Sequence, residues 1–255
     1  MITLVDFFIH LALPYVMVNL LYQILEMIGV LRQSMVKYRE NDLVPVYMQI
    51  GAKQMVTGEI QRQMDTILKV DRAIKNIWLN QIPRDYNQHY LLEEDSLKCA
   101  LYFHLRSELG DGWLNRYRIR IYSELHLNNQ KRADIAIVKL KPKNEREGCF
   151  LRDCIEEVLA IIELKFKGSS ANSQVFYNDV YKLKEYAKSY PDVQLYAGFI
   201  QESLYNDSNC SWFDGRQTSK WAKGRVTELL GYWDEKDEEF TVKVNAYNNL
   251  NLDII

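Results

Sequence analysis

Residues 158–167, VLAIIELKFK, constrain this chain more than any other stretch. Val158 to Ile162 is a continuous apolar run, the pattern of a strand passing through a core. Glu163 and Lys165 then interrupt it, two residues apart, with Leu164 and Phe166 between them. Strand side chains alternate between faces, so Glu163 and Lys165 share one face and Leu164 and Phe166 the other. Removing a charge from water costs several kcal/mol or so unless it is paired or binds a metal. The fold must therefore assemble partners around the end of this strand.

The flanking segments supply candidates. Glu93 to Leu109 has helical periodicity, with Leu97, Ala100, Leu101, His104 and Leu105 on one side and acids in its first turn. Gly110-Asp111-Gly112 stops it. Asn115 to Leu125 alternates, setting Tyr117, Ile119 and Ile121 against Arg116, Arg118 and Arg120. It is expected to be a half-buried strand with an arginine row that is either solvated or open to phosphates. A turn at Asn128-Asn129-Gln130 leads into a second strand, Arg132 to Leu140, where Asp134 stands in the apolar run Ala133–Val138. The charged segment from Lys141 to Asp153 reads as a loop or insertion. Beyond Gly168-Ser169-Ser170, a helix over 173–190 buries Phe176, Val180, Leu183 and Ala187 and carries Asp179 and Lys182 as an i,i+3 pair. Val193 to Ile200 is another strand. The order helix, three strands, helix, strand predicts an α/β core with a mixed central sheet flanked by helices.

The ends carry less chemistry. At the C-terminus, Thr218 to Leu230 is expected to form a helix with Lys220, Lys223 and Arg225 on a basic face, followed by a last strand from Glu239 to Tyr247. Near the N-terminus, Phe7 to Leu25 is the most apolar run, broken by Pro14. Thr3, Asp6 and His10 mark one polar face before the proline, and Asn19, Gln23 and Glu26 another after it. Two amphipathic segments suit a helical hairpin or docking surface, with a membrane-associated helix as the alternative to a cytoplasmic chain. Gln49 to Leu79 is helical by period, and Asn80 to Tyr90 reads as a connection. Residues 1–90 are thus taken as a helical N-terminal extension, serving packing, homo-oligomerisation or partner docking through 1–80, and residues 91–255 as the main domain. The net charge of −2 does not advertise a nucleic-acid binder, although a basic face can hide within it. Cys99, Cys149, Cys154 and Cys210 form no C-x2-C pair, which argues against a zinc site or a disulfide framework.

Asp134 in one strand and Glu163 in the next would repel each other if brought together, and burial would raise both further. A divalent cation resolves both problems, since magnesium takes one or two carboxylates and substrate oxygens. With Asp134 in RADIAIV and Glu163-Leu164-Lys165 in IIELKFK, the chain resembles the PD-(D/E)xK nuclease superfamily, the restriction-endonuclease-like fold, over roughly residues 91–201. The D-x-x-K-L of Asp179 to Leu183 and the upstream acidic helix are also similar to many members. Ala133 replaces the proline of the name, and the long Asp134–Glu163 separation is assigned to the 141–153 insertion. The resemblance implies Mg2+ (or Mn2+) held by Asp134, Glu163 and the Leu164 carbonyl, with Lys165 serving the attacking water. Glu94 would complete the site, with Glu93 its one-residue rival and Glu124, Asp179 and Lys182 as lesser candidates. The implied activity is phosphodiester hydrolysis, with DNA favoured over RNA as substrate, in defence or repair. The alternative is a nuclease-fold binding or regulatory protein that docks through its N-terminal helices.

Overall fold

The computed structural model describes residues 43–127, 131–168, 172–205, 211–234, 238–248 and 250. The expectations for residues 3–26 and for the turns at 128–130 and 169–170 fall outside the described residues. The chain divides into two compact units, Met1–Gln63 and Met64–Ile255. Among the described residues, no helix is long and apolar enough to cross a membrane.

Helix α1 spans Leu43–Asn87, longer at both ends than the periodicity predicts. Pro45 falls in its first turn, where the missing N–H has no partner to lose. Pro83 lies near the other end, in a stretch held by burial of Trp78, Ile82 and Asp85. Val70, Ile74, Ile77, Trp78 and Ile82 recur at three- and four-residue spacing and belong to the core of the second unit. The compact unit consequently begins before residue 91, and part of the segment read as an extension is core. Its polar anchors are buried too. Lys75 Nζ lies 2.7 Å from Asp71 Oδ2, and the Tyr196 hydroxyl donates to Asp71 Oδ1 at 2.9 Å. The Trp78 indole N–H donates to the Leu230 carbonyl at 2.9 Å.

Then follow α2 (Glu94–Leu109), the short α3 (Asp111–Arg116), β1 (Ile119–His126), β2 (Arg132–Leu140), β3 (Ile155–Gly168), α4 (Gln174–Ser189), β4 (Gln194–Tyr205), the one-turn α5 (Gly215–Thr218), β5 (Val226–Asp234) and β6 (Glu239–Ala246). The six strands lie in chain order in one mixed sheet. β1, β2 and β3 pair antiparallel, β3, β4 and β5 parallel, and β6 antiparallel to β5. One face packs on α1 and α2 through Ile135, Ile137, Ile162, Leu164 and Phe166. The other packs on α4 through Ala136, Val138, Ile161 and Phe199. The α/β class with a mixed sheet between helices is thus what the chain adopts.

Two expectations are corrected. The strand expected from Asn115 begins only at Ile119, because Gly110, at φ +74°, ends α2 and the chain re-enters a helical turn at once, so that Asn115 and Arg116 belong to α3. That breaks the arginine row: Arg116 is in α3, Arg118 pairs with Glu156 at 3.0 Å, and Arg120 donates to the Ile119 carbonyl at 2.7 Å. In the C-terminal region, the helix expected over 218–230 does not form: α5 ends at Thr218, turns follow, and residues 226–234 form a buried strand. Arg225, assigned to a basic face, instead donates to the carbonyls of Ala187 and Tyr190. The run VTELLGYWD lacks the polar face of a surface helix and fits a strand buried on both sides.

Candidate active site

The site forms where the pairing of β2 and β3 ends. The ladder runs to Ile135 opposite Ile162, and the next residues are Asp134 and Glu163. Beyond that point Asp134 reaches across with its side chain: Oδ2 accepts from the Leu164 backbone N–H at 2.7 Å. The N–H and C=O of one strand residue leave by the same edge, so the Leu164 carbonyl opens toward the same gap. A carboxylate thus replaces one rung of the ladder, leaving Asp134 Oδ1 to face other partners.

Alternation in β3 turns Glu163 and Lys165 toward α4 and puts Leu164 and Phe166 in the α1–α2 core. Asp179 and Lys182 are one turn apart on α4 but do not make the pair expected of that spacing. Lys182 Nζ lies 2.5 Å from Glu163 Oε2, and Asp179 Oδ2 lies 3.1 Å from Lys165 Nζ. Glu94, in the first turn of α2, meets Lys165 from the end of the sheet at 2.9 Å. Lys165 therefore ties together α2, β3 and α4. Glu93, the rival to Glu94, occupies the N-cap of α2, where its backbone N–H donates to Ser96 Oγ at 3.0 Å.

Glu163 is completely buried, and no donor among the described residues meets its Oε1 in hydrogen-bond geometry. Burial, reinforced by the nearby Asp134 carboxylate, pushes the Glu163 pKa well above the usual carboxylate range despite the opposing pull of Lys182. Burial likewise raises Asp179, against the pull of Lys165. Burial pulls Lys165 down, but Glu94 and Asp179 outweigh it and the ammonium is held above its ordinary value. Tyr186, buried beside Glu163, is pushed up by burial and then by that carboxylate.

The α2 side of the gap holds a second group that sequence reasoning missed. Lys98, four residues after Glu94, is only 9% exposed. Its Nζ contacts Glu124, lies 3.4 Å from Asp95 and stands 3.7 Å from Asp134 Oδ1. Glu124 also pairs with Arg132. In the β1–β2 register, Glu124 falls between the pairs Ser123–Ile135 and Leu125–Ala133, directly across from Asp134. Its φ of +55° is a costly conformation for a residue with a side chain, of the kind that persists where surrounding contacts impose it. The available signal for Lys98 was its position beside Leu97 and Leu101 on the buried side of α2, where an unpaired lysine is as anomalous as Asp134.

A cleft of about 710 Å³ opens onto this group, lined by Glu94, Lys98, Cys99, Glu124, Arg132 and Asp134. A smaller one of about 390 Å³ shares Glu94 and runs past Phe166, Lys167 and Glu202. A larger groove of about 800 Å³ between α1 and α2 contains none of these residues. Among the described residues, no three His, Cys, Asp or Glu side chains are grouped as ligands for a metal. Magnesium needs only one or two carboxylates, however, and completes its shell with water and substrate oxygens. Asp134, Glu163 and the Leu164 carbonyl are the groups at this gap that could offer donors to such an ion. Comparisons of the chain with family models, with curated proteins and with solved structures find no match in any of the three.

Proposed function

We propose that the protein is a Mg2+-dependent nuclease that hydrolyses phosphodiester bonds, with DNA the favoured substrate. The observation that carries this reading is the buried Glu163 Oε1, without a hydrogen-bond partner among the described residues, beside Asp134 where β2 and β3 stop pairing, with Lys165 two residues further along β3. Two adjacent buried carboxylates, one held well above its ordinary pKa, fit a dication better than they fit each other. The succession α2, β1, β2, β3, α4, β4 supports a restriction-endonuclease-like fold, with α3 a short addition.

Asp134 and Glu163 would hold the cation together with the Leu164 carbonyl. A bound divalent cation neutralises charge on the phosphate and on the leaving oxygen. The residues of the chain do the rest. The Leu164 N–H fixes the Asp134 carboxylate, and Lys182 fixes that of Glu163. Lys165, anchored by Glu94 and Asp179, projects an ammonium beside the reacting phosphate, where it orients the attacking water and offsets developing negative charge.

The test is cleavage of plasmid DNA, single-stranded DNA and RNA with Mg2+ or with EDTA. Wild type is expected to cut only with the metal, and Asp134→Ala to lose at least about a hundredfold in rate, the scale of removing one electrostatic stabiliser. Equal behaviour of the two proteins would remove the catalytic reading and favour a binding protein built on the same fold.

A further inference from the structure

Lys98 sits among three carboxylates: Glu124, Asp95 at 3.4 Å and Asp134 at 3.7 Å. The last is the longest contact, and it falls on Oδ1, the Asp134 oxygen that the Leu164 N–H does not use. Arg132 shares Glu124 with Lys98, so that carboxylate contacts two cations at the wall of the 710 Å³ cleft. The strained backbone of Glu124 places that carboxylate across from Asp134, between the two bases. An ammonium shared in this way can exchange one carboxylate for another anion without being left bare.

We infer that Lys98 is an exchangeable counter-ion: it neutralises Asp134 Oδ1 while the site lacks a divalent cation, and moves with Arg132 to a phosphodiester oxygen in the cleft when the cation arrives. The inference rests on the proposed metal site and extends it to the phosphate-binding side, where neither residue had been assigned. Lys98 binds the substrate phosphate in this scheme, and no covalent bond to it forms or breaks. Burial opposes its charge, but its carboxylate partners more than compensate and keep it protonated, so it remains a cation for either partner.

Two consequences have opposite signs. Lys98→Met keeps the length and apolar stem of the side chain but removes the charge that competes with a cation at Asp134. Glu124→Gln weakens the group that competes with Asp134 for Lys98 and lets the ammonium settle on Asp134. Cation and phosphodiester should also help each other bind, because the cation releases Lys98 to the phosphate. Such coupling is reciprocal and ordinarily amounts to about 5- to 150-fold.

The experiment uses the 255-residue chain with Mn2+ as the probe, its binding read by electron paramagnetic resonance without nucleic acid. Affinity for a labelled DNA duplex is then measured by fluorescence anisotropy with and without Ca2+ at fixed ionic strength. We expect Lys98→Met to bind Mn2+ at least about fivefold tighter than wild type, Glu124→Gln to bind it more weakly, and the Ca2+-dependent gain in DNA affinity to shrink in Lys98→Met. A folded Lys98→Met with unchanged or weaker Mn2+ affinity overturns the inference, as does one that keeps the full Ca2+ gain. If Lys98→Met does not fold, Lys98→Gln takes its place, with the same expected gain in Mn2+ affinity and the same refutation by unchanged or weaker binding. A failure confined to Lys98 leaves wild-type Mn2+ binding that Asp134→Asn abolishes. If wild type binds no Mn2+, the metal site fails and the exchange falls with it.

Discussion

Glu163→Gln separates a metal-binding carboxylate from a structural ion pair. Glu163 has no exposed surface; one oxygen lies 2.5 Å from Lys182 Nζ and the other has no hydrogen-bond partner among the described residues. If the pair were there for stability, removing its negative member should cost about 3–5 kcal/mol. For a protein of this size that is a fall of roughly 6–20 °C in Tm, at about 2–4 °C per kcal/mol. The raised pKa points the other way. Burial and Asp134 make the folded protein hold the Glu163 proton more tightly than the unfolded chain does. The resulting stability is fully present below the unfolded-state pKa and is lost as pH rises through the folded-state value. Glutamine imitates the protonated form, retains an acceptor for Lys182 and leaves that partly exposed ammonium to water. The apo variant should therefore match or exceed wild type at neutral pH, to within roughly 1 kcal/mol, or a few degrees in Tm. Its Tm should also depend less on pH than wild type between pH 5 and 8. The assay is differential scanning fluorimetry in EDTA across that range, repeated with Mg2+. Wild type should gain Tm with the metal, as any ligand confined to the native state requires, and the variant should not. A fall of ten degrees or more in EDTA at neutral pH would refute the reasoning and make the pair structural.

Other substitutions probe the scaffold around the site. A Cβ at Gly198 would stand 2.6 Å from Leu164 Cδ2 and 3.1 Å from Trp78 Cζ3, so Gly198→Ala should lose about 1–3 kcal/mol in urea denaturation. Because Leu164 links Glu163 to Lys165, the same change should also lower the Mg2+-dependent cleavage rate of the protein that remains folded. Lys75→Met strands the buried Asp71 carboxylate and should cost about 3–5 kcal/mol, with Asp71→Asn in the same chain restoring part of the loss. Guanidinium melts of the two single variants and the double variant measure that coupling.

Where a residue's anomaly was local, the sequence exposed it. Strand alternation was enough to send Glu163 and Lys165 to one face and Leu164 and Phe166 to the other, and the contacts with α4 and with the α1–α2 core follow that division. Asp134 stood out for the same reason, as a carboxylate in an apolar strand. Lys98 has the same character, but a helix hides it: one lysine between Leu97 and Leu101 looks like an ordinary flank until α2 is laid on the sheet. Asp179 and Lys182 show the opposite hazard. Their i,i+3 spacing permits a pair worth only a few tenths of a kcal/mol or so, and a buried Glu163 and a half-buried Lys165 are far stronger claimants on each. The C-terminal error is one of period. VTELLGYWD is apolar on both sides, and such runs do not tell a buried strand from a buried helix without the neighbours that pair with it. The α1 error is one of punctuation: Pro83 and Asp85 look like a loop, yet burial of Ile82 and the 2.6 Å contact between Asp85 and His104 hold the last turns in helix. In each of these cases the missing term was a tertiary partner. The site itself depends on the same kind of term, because Asp134, Glu163 and Lys98 acquire their chemistry only where β2 and β3 stop pairing and α2 closes over the gap.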